Sequence, residues 1–374
     1  MLKKLSLAAL IAMGSMSVAS ATSLSDAIKN VDLSGKIRVR LYHEMPKDQN
    51  SYNRWRTNAV FVFKNPIGDT GFSIVMRNSV ESNVYTDDDS LTDTQAGGTT
   101  SVDSNILNNL LFIQYKKDNV SAILGKIPVA TSITSADYFA PGHGAGAIAT
   151  YTVNKNLTVA AAWIDALKNG KTVVANTADV YAIAALFNTD MVKGNAWYYQ
   201  ITNTVKHLVT LSLDATPVKD VDVHVDFANG KNEGSNVKST TYYNISAKYA
   251  QDAFCVKAGY AYVNDGNSLV TTSIDAPIAK VIPTVNNYSI ADKSDRTALY
   301  AKVGYNVDNA TSVYVAYQHQ NDKTSANNDL NEYTLGAKYA VNKKLSFAAA
   351  YDVADFKVNT SDNKEFRFEG NYKF

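Results

Sequence analysis

The last ten residues of the chain constrain its fold more than any other stretch. In this stretch, apolar residues alternate with charged or polar ones, and in a β-strand successive side chains point to opposite faces. The stretch therefore predicts a strand with one face suited to lipid and the other to water. Because unanchored chain ends usually fray in solvent, we expect this strand to pair and close a barrel; the last strand of a soluble sandwich is the alternative. The apolar face consists of Phe366, Phe368, Gly370, Tyr372 and Phe374.

The N-terminus has the pattern of a cleaved secretory signal. A basic start is followed by an apolar run at residues 5–13 and by the small residues Ala-Ser-Ala at 19–21, which signal peptidase requires. We therefore predict a signal peptide at residues 1–21 and a mature domain at residues 22–374. An uncleaved anchor is the alternative, but the apolar run is short for a membrane-spanning helix, which needs about 20 residues.

Composition narrows the class of protein further. The chain has 36 Lys and Arg against 35 Asp and Glu, and only Lys3 and Lys4 would leave with the signal. This near-balance argues against nucleic acid or another polyanion as a partner. Cys255 is the single cysteine, so an internal disulfide cannot form. Hydrophobic residues make up 45% of the chain, yet beyond the signal they alternate with polar ones, as in a transmembrane β-barrel.

The connections between the alternating runs also alternate in length. Short turns are followed by longer polar loops, notably at 83–104, 128–144, 229–240 and 264–296. Outer-membrane barrels have short periplasmic turns and long extracellular loops, and only the short link at residues 205–207 departs from that pattern. We predict an all-β fold, a transmembrane antiparallel up-and-down β-barrel of about 18 strands, with about 16 as the alternative. Residues 364–374 are predicted to pair with residues 33–42.

Aromatic residues recur at the ends of the predicted strands. The hairpin at 151–163 is echoed at 339–351, each with a tyrosine before a polar turn and an alanine-rich strand after it. Tyr305 precedes a similar turn. Rings at strand ends form the girdles with which a barrel sits at the membrane interfaces, whereas cross-strand packing in a soluble sheet is the alternative. The repetition favours outer-membrane lipid as the surroundings of the barrel.

Several stretches resemble one family, the campylobacterial (epsilonproteobacterial) major outer membrane porins. The resemblance implies an eighteen-stranded homotrimeric general porin of the bacterial cell outer membrane, with a loop folded into the lumen. Terminal aromatics of such barrels, here Tyr372 and Phe374, are the signal that the barrel assembly machinery recognises. The matching stretches are residues 4–9, the lead segment at 26–35 with Arg38 and Arg40 after it, Leu124-Gly125-Lys126 and the closing Tyr372-Lys373-Phe374.

The inward face of the predicted barrel carries charge on opposite walls. The first three strands present basic residues inward, and the eleventh strand, which lies across a barrel of about eighteen strands, presents acidic residues and a histidine. We predict a transverse field that orients polar solutes; charges that merely solvate a wide lumen are the alternative. The predicted basic set is Lys36, Arg38, Arg40, Arg54, Arg56 and Arg77, and the acidic or opposite set is Glu81, Asp137, Asp222, His224 and Asp226.

The third outer loop, residues 128–146, is the predicted constriction. It is rich in small residues and contains one acid, Asp137, beside two aromatics, which suits a segment packed against an inner wall. Asp137 would then approach the basic strands and narrow the pore electrostatically. A simple surface loop is the alternative.

An acidic run in the second long loop is a weak candidate for Ca²⁺. Carboxylate oxygens suit this ion, but the acids lack the spacing of an EF-hand, so a solvated loop is the alternative and no other cofactor is predicted. No catalytic motif is present and the five histidines are scattered, so we predict no enzymatic activity. The acidic residues are Asp87, Asp88 and Asp89, with Asp93 and Asp103.

These patterns predict a general diffusion porin, a water-filled channel for ions and small hydrophilic solutes across the bacterial outer membrane. The alternative is an exported all-β surface binding protein or adhesin whose strands alternate for a sandwich. Solute preference, gating and an adhesive use of the outer loops stay open at this point.

Overall fold

The computed structural model describes most of the chain after its N-terminal segment. All regular structure in the described ranges is β-strand, and no helix there is long and apolar enough to cross a membrane. The predicted signal peptide lies outside them. The described residues are 31–47, 50–87, 105–169, 172–175, 179–234, 237–266, 276–286, 288–291, 293–324, 329–357 and 362–374.

The described ranges contain nineteen strands, most of them nine to sixteen residues long. In chain order they are β1 Asp32–Pro46, β2 Tyr52–Pro66, β3 Phe72–Asp87, β4 Asn105–Lys117, β5 Val120–Pro128, β6 His143–Asn154, β7 Leu157–Asn169, β8 Thr172–Ala175, β9 Val180–Asn188, β10 Val192–Ile201, β11 Val205–Val218, β12 Val221–Asn232, β13 Thr240–Gln251, β14 Phe254–Val263, β15 Arg296–Asn306, β16 Thr311–Asp322, β17 Leu330–Ala340, β18 Leu345–Phe356 and β19 Asn363–Lys373.

Eighteen of these strands close into one antiparallel barrel. Each pairs with its neighbours in sequence, except that β7 pairs with β9 past the four-residue β8, which pairs with β7 alone. The ring closes where β1 pairs with β19, from Lys36 opposite Lys373 to Pro46 opposite Asn363. The predicted eighteen-stranded up-and-down barrel is thus confirmed, and the sandwich alternative is wrong.

The two ends of the barrel differ in their connections. At one end the hairpin turns are short, and Asp118, Asp220 and Asp252 adopt φ of 50°, 65° and 49° in them. Asp tolerates this left-handed conformation, which two-residue hairpin turns require. The other end carries the long loops, although β10 and β11 are joined there only by residues 202–204. We call these the short-turn end and the long-loop end. β1 begins and β19 ends at the short-turn end.

Side chains alternate between a lipid-suited exterior and a polar interior. On β17, Tyr333, Leu335 and Tyr339 are exposed, whereas Glu332 and Thr334, which alternate with them, are buried. Exposed rings recur near both ends of most strands and form two aromatic belts, as expected at the two membrane interfaces. The belt at the long-loop end includes Trp163, Tyr181, Tyr333 and Tyr351, and the belt at the short-turn end includes Tyr151, Tyr249, Tyr305 and Tyr339.

Candidate pore constriction

Two long loops fold into the barrel instead of covering its outside. One is the 129–142 loop between β5 and β6, and the other is the 276–291 loop between β14 and β15, of which residues 276–286 and 288–291 are described. Their large aliphatic side chains are almost fully buried, with Ile133 only 2% and Ile278 only 1% exposed. Both loops therefore occupy space that would otherwise belong to the lumen.

The 129–142 loop crosses from one wall of the barrel to the other. At one end Ser132 Oγ lies 3.1 Å from the Tyr199 hydroxyl and 2.5 Å from Thr210 Oγ1, on β10 and β11. At the other end Asp137 Oδ1 lies 3.7 Å from Arg38 Nη1 on β1. The loop is thus fixed to opposite walls by polar contacts.

Aromatic side chains of the same loop cover the basic strands. The Arg38 guanidinium lies 3.9 Å from the centre of the Phe139 ring, and Lys36 Nζ lies 4.8 Å from the centre of the Tyr138 ring. Arg77 Nη2 donates a hydrogen bond to the Tyr138 carbonyl oxygen. Cation–π contacts of this kind stabilise a cation away from bulk water. They account for the burial of Arg38 and Arg77, each 5% exposed.

The other arginines of this wall are paired with carboxylates. Arg40 donates to Glu369, which lies beside it on β19. The Arg54 guanidinium lies 2.8 Å from Glu44 Oε1. Arg56 binds Glu81 with two nitrogens, at 2.9 and 2.8 Å. All these side chains lie on the inward face, and Glu81 belongs to the basic wall itself and not to the opposite one.

The 276–291 loop is clasped to the wall at Asn286. The Asn286 backbone N–H donates to Glu332 Oε1 at 3.0 Å, and its side-chain amide donates to Asp352 Oδ2 at 2.8 Å. Its Oδ1 accepts from Arg367 Nη2 at 3.0 Å. Thr284 Oγ1 adds a hydrogen bond to Glu332 Oε2 at 2.8 Å. Three strands, β17, β18 and β19, thus hold one loop residue.

The two loops also touch each other. The Ile278 N–H donates to the Ser132 carbonyl oxygen at 3.2 Å, and the Tyr242 hydroxyl of β13 donates to the Ile278 carbonyl oxygen at 3.0 Å. Together the loops narrow the passage from the side of β10–β18 toward the arginines of β1, β2 and β19. The residues in contact where the loops meet this wall are Arg38, Arg40, Tyr42, Arg54, Arg367, Asp137 and Asn286, of which Arg38 and Tyr42 are almost fully buried.

The opposite wall is not a row of bare carboxylates. Asp222, His224 and Asp226 do point inward on β12, the eleventh strand of the barrel. His224, however, lies 2.8 Å from Asp214 and 2.7 Å from Asp226, and Asp226 is fully buried. Asp222 lies 3.1 Å from Lys248 Nζ. Their charge is therefore largely satisfied within the wall.

Sequence reasoning missed two parts of the lumen. The 276–291 loop has no alternation or motif that predicts where it packs, and its partners are distant in sequence. A second omission is a set of inward lysines on β13, β14, β15 and β17. Strand parity alone places Lys248, Lys257, Lys302 and Lys338 on the inward face, so continuing the alternation beyond the third strand would have found them.

The side chains of the predicted Ca²⁺ residues are not placed by the described part of the structure. Asp88, Asp89, Asp93 and Asp103 lie outside the described residues, and the Asp87 side chain is likewise not described. In the described part of the chain, no group of three or more His, Cys, Asp or Glu side chains could hold a metal ion.

The C-terminal aromatics lie at the closing seam of the barrel. Phe374 exchanges backbone hydrogen bonds with Gly35, each of 3.1 Å, and its ring lies 5.7 Å from that of Phe61. A Cβ on Gly35 would come within 2.6 Å of the Phe374 ring, so the close approach requires glycine. Tyr372 points outward beside it, 6.1 Å from the Phe374 ring centre.

Comparison with known proteins identifies a matching family and several solved structures of similar fold. The sequence model of the family described as Campylobacter major outer membrane protein matches residues 1–374. No curated protein matches the chain. Among solved structures, it is similar to Pseudomonas aeruginosa OpdK with vanillate, with a TM-score of 0.74, 11% identity and coverage of 92% of this chain and 99% of that one.

Two further structures show the same fold. Acinetobacter baumannii OccAB4 gives a TM-score of 0.72 at 13% identity, with coverage of 92% of this chain and 98% of that one. Pseudomonas aeruginosa OccK5 gives 0.70 at 14%, also covering 92% and 98%. At these identities the likeness extends to the fold alone.

Proposed function

Because the chain belongs to the Campylobacter major outer membrane protein family and is a diffusion porin of the outer membrane, we propose that its selectivity is set where the two inward loops face the arginines of β1, β2 and β19. The observation that carries this proposal is the Arg38–Asp137 contact across the lumen. It brings a carboxylate of the 129–142 loop and the basic wall of β1 together inside the barrel. Small polar solutes then pass near fixed charges of both signs, whereas an apolar solute displaces water from these charged groups without replacing its hydrogen bonds. No catalytic role is part of this proposal.

The proposal is tested by the reversal potential in a salt gradient across a planar bilayer. Arg38→Gln with Arg54→Gln removes two cations from this wall and leaves the charges of Asp137 and Glu44 without their arginine partners. We expect the reversal potential to shift toward cation preference, because fixed charge sets the local counter-ion concentration. Lys364→Gln is the matched control, since Lys364 is exposed on the outward face of β19. An unchanged reversal potential in the double variant would show that these arginines do not set the ion selectivity.

We further propose that the homotrimer forms through the outer face of β3–β5. Among the described side chains of these strands, the aromatic belt at the long-loop end is interrupted. Phe72 on β3 and Tyr339 on β17 both lie near the short-turn end. Asn78 lies as many residues from Phe72 as Tyr333 lies from Tyr339, so Asn78 takes the belt position of Tyr333, but it is polar. Asn108 donates to Asn78 Oδ1 at 3.1 Å, and Lys126 donates to the Asn108 carbonyl oxygen at 2.7 Å. A belt position that is amide or ammonium instead of aromatic suits a protein neighbour better than lipid.

Chemical cross-linking in native membranes tests this face. Lys126→Cys in a Cys255→Ser background should give cross-linked oligomers with a bifunctional maleimide, because neighbouring copies bring these positions close. Tyr333→Cys in the same background is the control, since it lies on the intact belt of β17. Equal cross-linking at both positions, or none at residue 126, would refute the interface.

We also propose that Tyr372 and Phe374 are the residues that the barrel assembly machinery recognises. The position of the two residues supports this proposal. Tyr372 lies at the end of β19 and Phe374 directly after it, beside the strand β1 with which the sheet closes.

A further inference from the structure

Three lysines stand directly beside one another on the inner wall. Lys248 on β13 is the register partner of Lys257 on β14, and Lys257 is the register partner of Lys302 on β15. Adjacent strands are about 4.8 Å apart, and like charges directly opposite each other destabilise a sheet. The row therefore costs folding free energy unless something outside the sheet compensates it.

The protein itself compensates this row only in part. Lys248 Nζ lies 3.1 Å from Asp222 Oδ2. Lys257 Nζ donates to the Val281 carbonyl oxygen at 3.1 Å, and Lys302 Nζ lies 3.8 Å from the centre of the Tyr314 ring. Within the described ranges, no carboxylate oxygen lies within 4.0 Å of the Lys257 or Lys302 ammonium groups. Two of the three cations are thus held by neutral groups.

A cavity of 620 Å³ opens next to the row. Its walls carry the cations Lys193, Lys248 and Lys257 together with the carboxylates of Asp190, Asp214 and Asp222, and the 276–291 loop contributes Pro277 and Lys280 as its roof. Lys302 does not line the cavity but lies next to Lys257 in the row. The cavity lies on the short-turn side of that loop, because Lys248 and Lys257 are each three residues from the strand ends Gln251 and Phe254. A hydrated anion of several atoms fits such a volume.

The arginine wall is different in kind. There each of Arg40, Arg54 and Arg56 has a carboxylate partner, whereas Lys257 and Lys302 present ammonium groups that a solute can still neutralise. Lysine binds phosphate as a point charge, and neighbouring ammonium groups at strand spacing can share the oxygens of one multivalent anion. A monovalent halide offers only one such contact.

We propose that Lys248, Lys257 and Lys302 form a binding site for multivalent oxyanions of the phosphate class on the short-turn side of the constriction. The site rests on the proposed function, because its ligand must enter the water-filled lumen. In the orientation expected for outer-membrane barrels, the short-turn end is periplasmic, so the site is reached from the periplasm before the constriction.

The test measures how inorganic phosphate reduces chloride current through single channels at constant ionic strength. In the wild-type protein, phosphate should reduce the current, and more strongly when added at the short-turn side. In Lys257→Gln with Lys302→Gln, the concentration for half-reduction should rise about tenfold, which corresponds to the loss of about 1.4 kcal/mol of binding free energy. The matched control is Lys64→Gln with Lys116→Gln, which removes two inward lysines on β2 and β4, away from the row.

Each outcome decides the proposal. A rise in the row variant but not in the control supports it. An equal rise in both variants would show diffuse lumenal charge and overturn the site. If phosphate acts equally from both sides of the wild-type channel, or not at all, the site is also overturned, and this holds even where the row variant fails to fold. Chloride conductance that persists in every variant keeps the porin function separate from the fate of the site.

Discussion

Replacing Glu332 by alanine is expected to release the 276–291 loop from the barrel wall and to raise single-channel conductance. Glu332 is fully buried and accepts hydrogen bonds from Thr284, from the Asn286 N–H and from Gln318. Its removal leaves the Thr284 hydroxyl and the Asn286 N–H buried without this acceptor, whereas Gln318 still donates to Thr284 Oγ1 at 3.0 Å. An unsatisfied buried group costs about 1–3 kcal/mol, so the attachment of residues 284–286 to β17 is weakened.

Two measurements check this release. Planar-bilayer recordings should show larger steps than those of the wild-type channel, because the lumen gains the volume that the loop now fills. Limited trypsin digestion should cut after Lys280 or Lys293, which bracket the clasp. The matched control is Glu369→Ala, which removes an inward carboxylate that pairs with Arg40 on the neighbouring strand. Unchanged conductance and resistance to trypsin in Glu332→Ala would show that the clasp does not hold the loop.

Replacing Phe374 by alanine is expected to lower the amount of folded protein in the outer membrane severalfold. Two effects combine in this variant. The ring fills the space above Gly35 and contacts Phe61 at the seam where β1 meets β19, and its loss weakens closure. If the terminal aromatic is also the assembly signal, the cell inserts fewer chains. Losses of 1–2 kcal/mol alone already change cellular abundance several-fold.

Phe61→Ala separates the two effects, because it removes the other ring of the same contact and leaves the terminus intact. Heat-modifiable mobility on unheated gels measures folded barrel both in membranes and after refolding in detergent. We expect both variants to refold comparably in detergent, with Phe374→Ala depleted in membranes more strongly than Phe61→Ala. Equal depletion of the two variants would reduce Phe374 to a packing residue.

The barrel could be predicted because its signal is local. Alternation at Phe366–Phe374 fixes which residues face outward, and alternating loop lengths fix which strand ends lie together. The same parity placed Asp222, His224 and Asp226 inward on the correct strand. What alternation does not contain is the identity of the partners of an inward side chain, so it could not show that His224 lies between Asp214 and Asp226.

The loops within the lumen were beyond sequence reasoning for a related reason. Ile278, Ile282 and Ile290 are apolar without a strand or helix period, so nothing marks the wall that they contact. The residues that hold Asn286 come from strands 46 and 66 residues further along the chain. The 129–142 loop is easier to place from sequence, because its lone acid, Asp137, predicts a basic partner, and this acid does contact Arg38.

The central claim is a water-filled barrel narrowed by two inward loops, and liposome swelling with sugars of increasing size tests it most directly. Purified protein in liposomes should give rapid swelling with monosaccharides and progressively slower swelling with di- and trisaccharides, because only the constriction discriminates among solutes that all fit an open eighteen-stranded barrel. Swelling at one rate for all these sugars would contradict the constriction. Absence of swelling with the smallest sugar, in liposomes that contain folded protein, would contradict the channel itself.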